Sequence, residues 1–207
     1  MSVDAVVARI AQLNSVLAPQ PATPVSTPQT AAPAPATFAS LMGQATTGTA
    51  ATSALPATGG TPAGQAMVNL ARQEVGVAEQ PPGSNDSPRI AQYRQATAGS
   101  GVGPWCAYFV SWAARQAGTP LGDQGQGFGR VDDVWAWGQH TGRATPAAGA
   151  QPQPGDLIVW GGRHIGMVES VDPDGTIHTI EGNSSDRVSQ RTYGPDGGGA
   201  TGFVRLG

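Results

Sequence analysis

Residues 156–183, DLIVWGGRHIGMVESVDPDGTIHTIEGN, decide the fold. Apolar residues stand at 157–159, at 165, 167 and 168, and again at 177 and 180, in short runs separated by Gly-Gly and by Asp-Pro-Asp-Gly. Runs of this length bounded by turn residues predict strands, here at 156–160, 164–171 and 176–181. Two more runs, 188–193 and 203–206, follow the turn-forming stretches Gly-Asn-Ser-Ser and Gly-Pro-Asp-Gly-Gly-Gly. The C-terminal part therefore reads as an antiparallel meander.

Upstream the period changes from two to 3.6. Met67, Leu70, Ala71 and Val75 recur at helical spacing and Gly76 ends the run, predicting a helix over 66–75. Ser87-Pro88 forms the cap and first position of a second helix, carrying Ile90 and Tyr93. A third places Cys106, Phe109, Val110, Ala113 and Ala117 on one side and closes at Gly118, and a fourth is predicted over 131–137. Helices first and strands afterwards predict an α+β domain with its helices packed on one face of an antiparallel sheet.

The first 64 residues differ in kind. Val3, Val6, Val7, Ile10, Leu13, Val16 and Leu17 form one apolar stripe, predicting an amphipathic helix over 1–18 that Pro19 and Pro21 stop. Residues 19–64 are rich in Ala, Pro and Thr, and no charged residue lies between Arg9 and Arg72. With too few large apolar side chains to offset the entropy of ordering, this stretch reads as a disordered linker, with 38–42 (FASLM) its one apolar island. The expected organisation is a helix at 1–18, a linker at 19–64 and a globular domain at 65–207.

Composition narrows the function. The 207-residue chain has a formal net charge of −3 and takes all its basic residues as Arg, so it offers no basic stripe for nucleic acid. No apolar run approaches the roughly 20 residues needed to span a bilayer, and no signal-type apolar segment opens the chain. A single cysteine excludes an intramolecular disulfide.

That cysteine, Cys106, opens a helix in the string PWCAYFVSWAARQAG. A buried cysteine is commonly only a small hydrophobe, but the free N–H groups of a first helical turn stabilise a thiolate, the reactive form. A thiol nucleophile needs a base, and imidazole is the usual one. His140 sits at a helix end and His178 in mid-strand, whereas His164 heads a strand directly after Gly161-Gly162-Arg163 and is the candidate base. Pairing through the Asp-Pro-Asp-Gly turn sets the start of that strand opposite the end of the next, making Glu181 a cross-strand neighbour able to orient His164, with Asn183 a second candidate. Trp105 and Trp160 are the candidates to line a substrate groove, with Trp112 a further one, and burial in the core is the equal alternative for all three.

The motifs PWCAYFVSWAARQAG, PGDLIVWGGRHIGMVESV and TIHTIEGNSS, in this order, resemble the CHAP domain, the cysteine, histidine-dependent amidohydrolase/peptidase family of papain-like fold. The resemblance spans about residues 67–206, including the lead-in EVGVAEQPPGSND. It implies Cys106 as nucleophile, His164 as base and acid, Glu181 as its orienting partner and Asn183 as an assisting residue. It implies peptidoglycan as substrate, cleaved between muramic acid and L-alanine or within the stem peptide or cross-bridge. Calcium-dependent members carry an acidic loop ahead of the nucleophile; residues 95–104 hold no carboxylate, so no metal or cofactor is expected. The N-terminal part resembles flagellum-associated wall hydrolases, which implies flagellar rod or export components as partners and an extracytoplasmic location reached without a signal peptide; a phage-type hydrolase released on lysis and secretion by another route are the alternatives. A non-catalytic wall-binding or scaffolding module and a small-amide hydrolase are the alternative readings of the same residues.

Overall fold

The structure, a computed structural model, describes residues 59–207. The helix expected at 1–18, residues 19–58 of the linker and the island at 38–42 lie outside the described residues. Four helices precede a six-stranded antiparallel sheet among the described residues, the α+β arrangement expected.

Helix α1 (Pro62–Gln73) starts inside the segment read as linker, because Thr61 caps it by accepting from the Gly64 N–H at 3.0 Å, with Pro62 in the first turn. Thr61-Pro62 repeats the cap-then-proline signature of Ser87-Pro88, which opens α2 (Pro88–Arg94). The Thr61 hydroxyl also donates to the Leu206 carbonyl at 2.9 Å, tying the start of the domain to its end. Val75, read as a core position, lies beyond the helix and is exposed.

Helix α3 (Cys106–Gln116) is buried on nearly every side, from Cys106 through Ala114. A helix apolar all round belongs in the interior. Here it packs against α1, α2 and the sheet, and Met67, Ile90, Tyr93, Phe109, Leu157, Ile165, Met167 and Ile180 share one core. Helix α4 (Val131–His140) carries Asp132 and Asp133 in its first turn, where the positive end of the helix dipole favours them.

The sheet consists of β1 (Ala144–Pro146), β2 (Leu157–Trp160), β3 (His164–Val171), β4 (Ile177–Glu181), β5 (Ser189–Tyr193) and β6 (Gly202–Val204), in the order β1-β6-β2-β3-β4-β5. The meander holds from β2 to β5. The last strand instead returns to pair with the free edge of β2, and β1, too short and polar to read as a strand, pairs outside it. Ile158, Trp160, Val168, Ile177 and Phe203 form a second, smaller core.

One irregularity sets the register. Val171 pairs with Ile177 and Ser170 with His178, but Val168 pairs with Thr179 and Met167 with Ile180. One extra residue, Glu169, is thus accommodated in β3. Because side chains alternate between faces, this bulge moves everything beyond it on β4 to the opposite face relative to β3. Glu169 is held there by Arg72 of α1 at 2.6 Å and by Gln190 of β5 at 2.8 Å.

Beyond β4 the chain runs directly against α3. A Cβ on Gly182 lies 2.5 Å from the Phe109 Cβ and 3.0 Å from the Trp105 ring, so only glycine permits this approach. Gly182→Ala is expected to destabilise the domain by about 1–3 kcal/mol through overpacking; urea unfolding measures it, and an unchanged midpoint contradicts the packing described.

Candidate active site

Cys106 is the first residue of α3 and is 4% exposed. The residue before it, Trp105, provides no side-chain cap, so the first-turn N–H groups face the thiol region unused by a capping side chain. His164 opens β3, paired in register with Trp160 of β2 and stacked on it, with ring centroids 5.5 Å apart and planes at 25°. Cross-strand partners point to the same face, and the indole fixes the plane of the imidazole.

Glu181, the last residue of β4, is 1% exposed and places Oε2 2.8 Å from His164 Nε2. Its other oxygen accepts from the Thr179 hydroxyl at 2.6 Å and the Tyr193 hydroxyl at 2.9 Å. The two residues are diagonal rather than directly opposite, because Glu181 stands one residue beyond the Met167–Ile180 pair, across from Gly166. A Cβ on Gly166 lies 2.7 Å from the Glu181 Cγ; its absence lets the carboxylate pass over β3 to the imidazole. The bulge at Glu169 puts Glu181 on this face at all.

Protonation follows from these contacts. Burial lowers the basicity of His164, but the hydrogen bonds and charges of Cys106 and Glu181 outweigh it and raise its pKa to about 9. With Nε2 engaged by Glu181, Nδ1 is the nitrogen left for the thiol. Burial acts to raise the Glu181 pKa, yet the hydrogen bonds of His164, Thr179 and Tyr193 hold it below the ordinary value. Tyr193 is pushed up to about 12, chiefly by burial and by Glu181, and stays a neutral donor. At neutral pH the site therefore holds a buried carboxylate and an imidazolium facing the cysteine.

The other candidates fall into different roles. With its amide turned so that both ends find partners, Asn183 donates to Glu79 Oε1 and accepts from the Trp105 N–H, each at 3.2 Å. Neither contact is to His164; Asn183, at a left-handed φ of 58°, braces the residue before the cysteine instead. Trp105 is fully buried and donates its indole N–H to Glu79 Oε1 at 2.9 Å, so it lines no groove. Trp112 packs in the same core, and Trp160 is buried beneath His164 with its N–H on the Gly197 carbonyl. Their large apolar rings account for this: they complete the two cores, and each indole N–H of Trp105 and Trp160 finds a buried acceptor. His178 is paired with Asp172 at the surface and His140 is exposed at the end of α4, as read from the sequence.

Four residues escaped the sequence reading. Thr179 and Tyr193 satisfy Glu181, Gly166 gives it passage, and Glu79, 3% exposed, anchors the approach to α3. Thr179 carries a signal in hindsight, two residues before Glu181 on the same strand face, whereas Glu79 lies in a turn-rich loop without periodicity. Beside Cys106 opens a cleft of roughly 410 Å³, bounded by Pro104, Tyr108, Val131 and the turn at 162–163. Among the described residues no group of three or more His, Cys, Asp or Glu is arranged to hold a metal ion.

A cysteine at a helix N-terminus, an imidazole on a strand and a buried carboxylate behind it define the thiol-hydrolase type of site. Residues 97–183, which contain all three, match the CHAP domain family, and the chain carries a CHAP domain over that segment. CHAP domains are cysteine-dependent amidohydrolases and peptidases. A crystal structure of an N-acetylmuramoyl-L-alanine amidase from Staphylococcus aureus is similar over 51% of this chain and 31% of that one, at 18% identity and a TM-score of 0.40. The chain thus spans under a third of the length of that protein. The comparison with curated proteins gave no match.

Gly166→Ala is expected to displace the Glu181 carboxylate and lower the His164 pKa, slowing alkylation of Cys106 by iodoacetamide at neutral pH about tenfold. An unchanged rate in a folded variant contradicts the role given to this glycine.

Proposed function

We propose that the protein is a peptidoglycan hydrolase in which Cys106 attacks a wall amide. The observation that carries this reading is the convergence of Cys106 and Glu181 on one imidazole, His164, within the segment that matches the CHAP family.

In the first step the Cys106 thiolate adds to the amide carbonyl and forms a tetrahedral oxyanion. The Cys106 backbone N–H, in the uncapped first turn of α3, is the donor available to it. The C–N bond then breaks as His164 gives its proton to the leaving amine, leaving a thioester on Cys106. In the second step water attacks the thioester while His164 takes a proton from it, and the carboxylic acid departs with return of the thiolate–imidazolium pair. Glu181 keeps the imidazole oriented throughout and offsets its positive charge without itself taking the proton. Whether the amide joins muramic acid to L-alanine or lies within the peptide is the choice between amidase and endopeptidase. Both are amide hydrolyses that use the same residues, at the cell wall. The flagellar reading rests on residues outside those described, and nothing in the described domain bears on it.

The test is digestion of purified sacculi by the full chain, with mass spectrometry of the soluble products to identify the bond. New amino termini are expected from the native protein, and Cys106→Ala is expected to lower their release by about 10³-fold or more while the fold persists. Equal release by both overturns the assignment of the nucleophile.

A further inference from the structure

The basic residues of the chain are eleven arginines, ten of them among the described residues. Eight are engaged. Some pair with carboxylates, as Arg72 does with Glu169 and Arg205 with Asp156, and others hold backbone carbonyls or serine hydroxyls, as Arg115 holds the Gly125 carbonyl and Arg191 the Ser184 hydroxyl. Even exposed arginines of this domain, Arg187 among them, follow that pattern. The side chains of Arg130 and Arg163 alone have no protein partner among the described residues, and both line the cleft beside Cys106.

Their positions are fixed by the elements that build the site. Arg130 is the residue immediately before α4, and Arg163 is the last residue of the turn that delivers His164 to β3. Asp132 lines the same cleft but is not ion-paired with either arginine. It lies over the Gly161-Gly162 turn instead, where a Cβ on Gly162 would come 2.5 Å from its Oδ1. Two free guanidinium groups against one carboxylate leave this wall of the cleft net positive in a chain whose overall charge is −3. A guanidinium presents a planar fork of N–H donors that matches a carboxylate in two parallel hydrogen bonds, a geometry that a neutral sugar or a carboxamide does not reciprocate.

We propose that Arg130 and Arg163 form a carboxylate clamp, selecting peptides that carry a free carboxylate beside the amide presented to Cys106. The proposal rests on the peptidoglycan-hydrolase reading and names which part of the wall enters the cleft: the acidic stem peptide, with its carboxyl groups unamidated. The glycan is left outside, and amidation of a stem-peptide carboxyl near the scissile bond weakens binding.

The test separates recognition from turnover. Two muramoyl peptides, one with the α-carboxyl of its D-glutamate free and one with it amidated, are titrated calorimetrically into the full chain carrying Cys106→Ala. The free acid is expected to bind about tenfold more tightly, and the ratio is expected to fall close to one when Arg130→Gln and Arg163→Gln are added. Arg163→Lys is expected to retain part of the preference. Arg115→Gln, at the far end of α3, removes one positive charge elsewhere and is expected to leave the ratio intact. Equal binding of the two peptides, no binding of either at millimolar concentration, or a preference that survives the double substitution overturns the clamp. Sacculus digestion by the native protein decides the underlying reading independently: digestion without a carboxylate preference removes only the clamp, and preference without digestion removes only the hydrolase.

Discussion

The Glu181–His164 contact is the constraint on which the rest of the site depends. A carboxylate 1% exposed is costly unless its lone pairs are taken up, and here Thr179, Tyr193 and His164 take them up at 2.6, 2.9 and 2.8 Å. Two of these partners are neutral hydroxyls, so the charge is answered by the imidazole alone. The carboxylate is thereby kept ionised, and the imidazole is kept both protonated and fixed in orientation. That imidazole takes a hydrogen bond from each side, Cys106 on one and Glu181 on the other, so burial of one carboxylate fixes the group that serves a residue on a different element.

Two structural features make that contact geometrically available. The bulge at Glu169 shifts the β3–β4 register by one and brings Glu181 to the face that His164 occupies, and Gly166 leaves open the space through which the carboxylate reaches it. The bulge is in turn held by Arg72 from α1, so a helix far along the chain from the nucleophile takes part in setting the register. A further buried acid, Glu79, gathers the Trp105 indole, the Asn85 backbone N–H and the Asn183 amide. These contacts join the loop after α1, the end of β4 and the residue before Cys106. The nucleophile and its base are therefore each held by a buried acid with its own set of donors.

Much of this was legible in the sequence. The change from helical to alternating spacing marked the α+β division, and a histidine heading a strand after Gly-Gly-Arg stood apart from His140 and His178. Pairing through the Asp-Pro-Asp-Gly turn brought His164 and Glu181 together in outline. Their register was not legible, because a simple hairpin count without the bulge sets Glu181 opposite Met167, on the wrong face. The place of the tryptophans was not legible for a related reason: a large ring next to a catalytic residue serves a groove or a core equally well until packing decides. Asn183 followed Glu181 closely enough to suggest a shared partner, but its left-handed backbone turns it toward Trp105. The start of α1 was hidden by composition, since Thr61-Pro62 ends a long stretch of similar Thr and Pro residues that carries no periodic pattern.

The most direct measurement is an NMR titration of the His164 ring in the folded protein. Because its partners favour the protonated form, the ring is predicted to stay imidazolium through neutrality and to lose its proton near pH 9. Glu181→Gln removes one of the charges that raises the value, so in that variant the transition moves to lower pH. A His164 ring that titrates near the ordinary imidazole value of about 6.5, with no shift on substituting Glu181, contradicts the account.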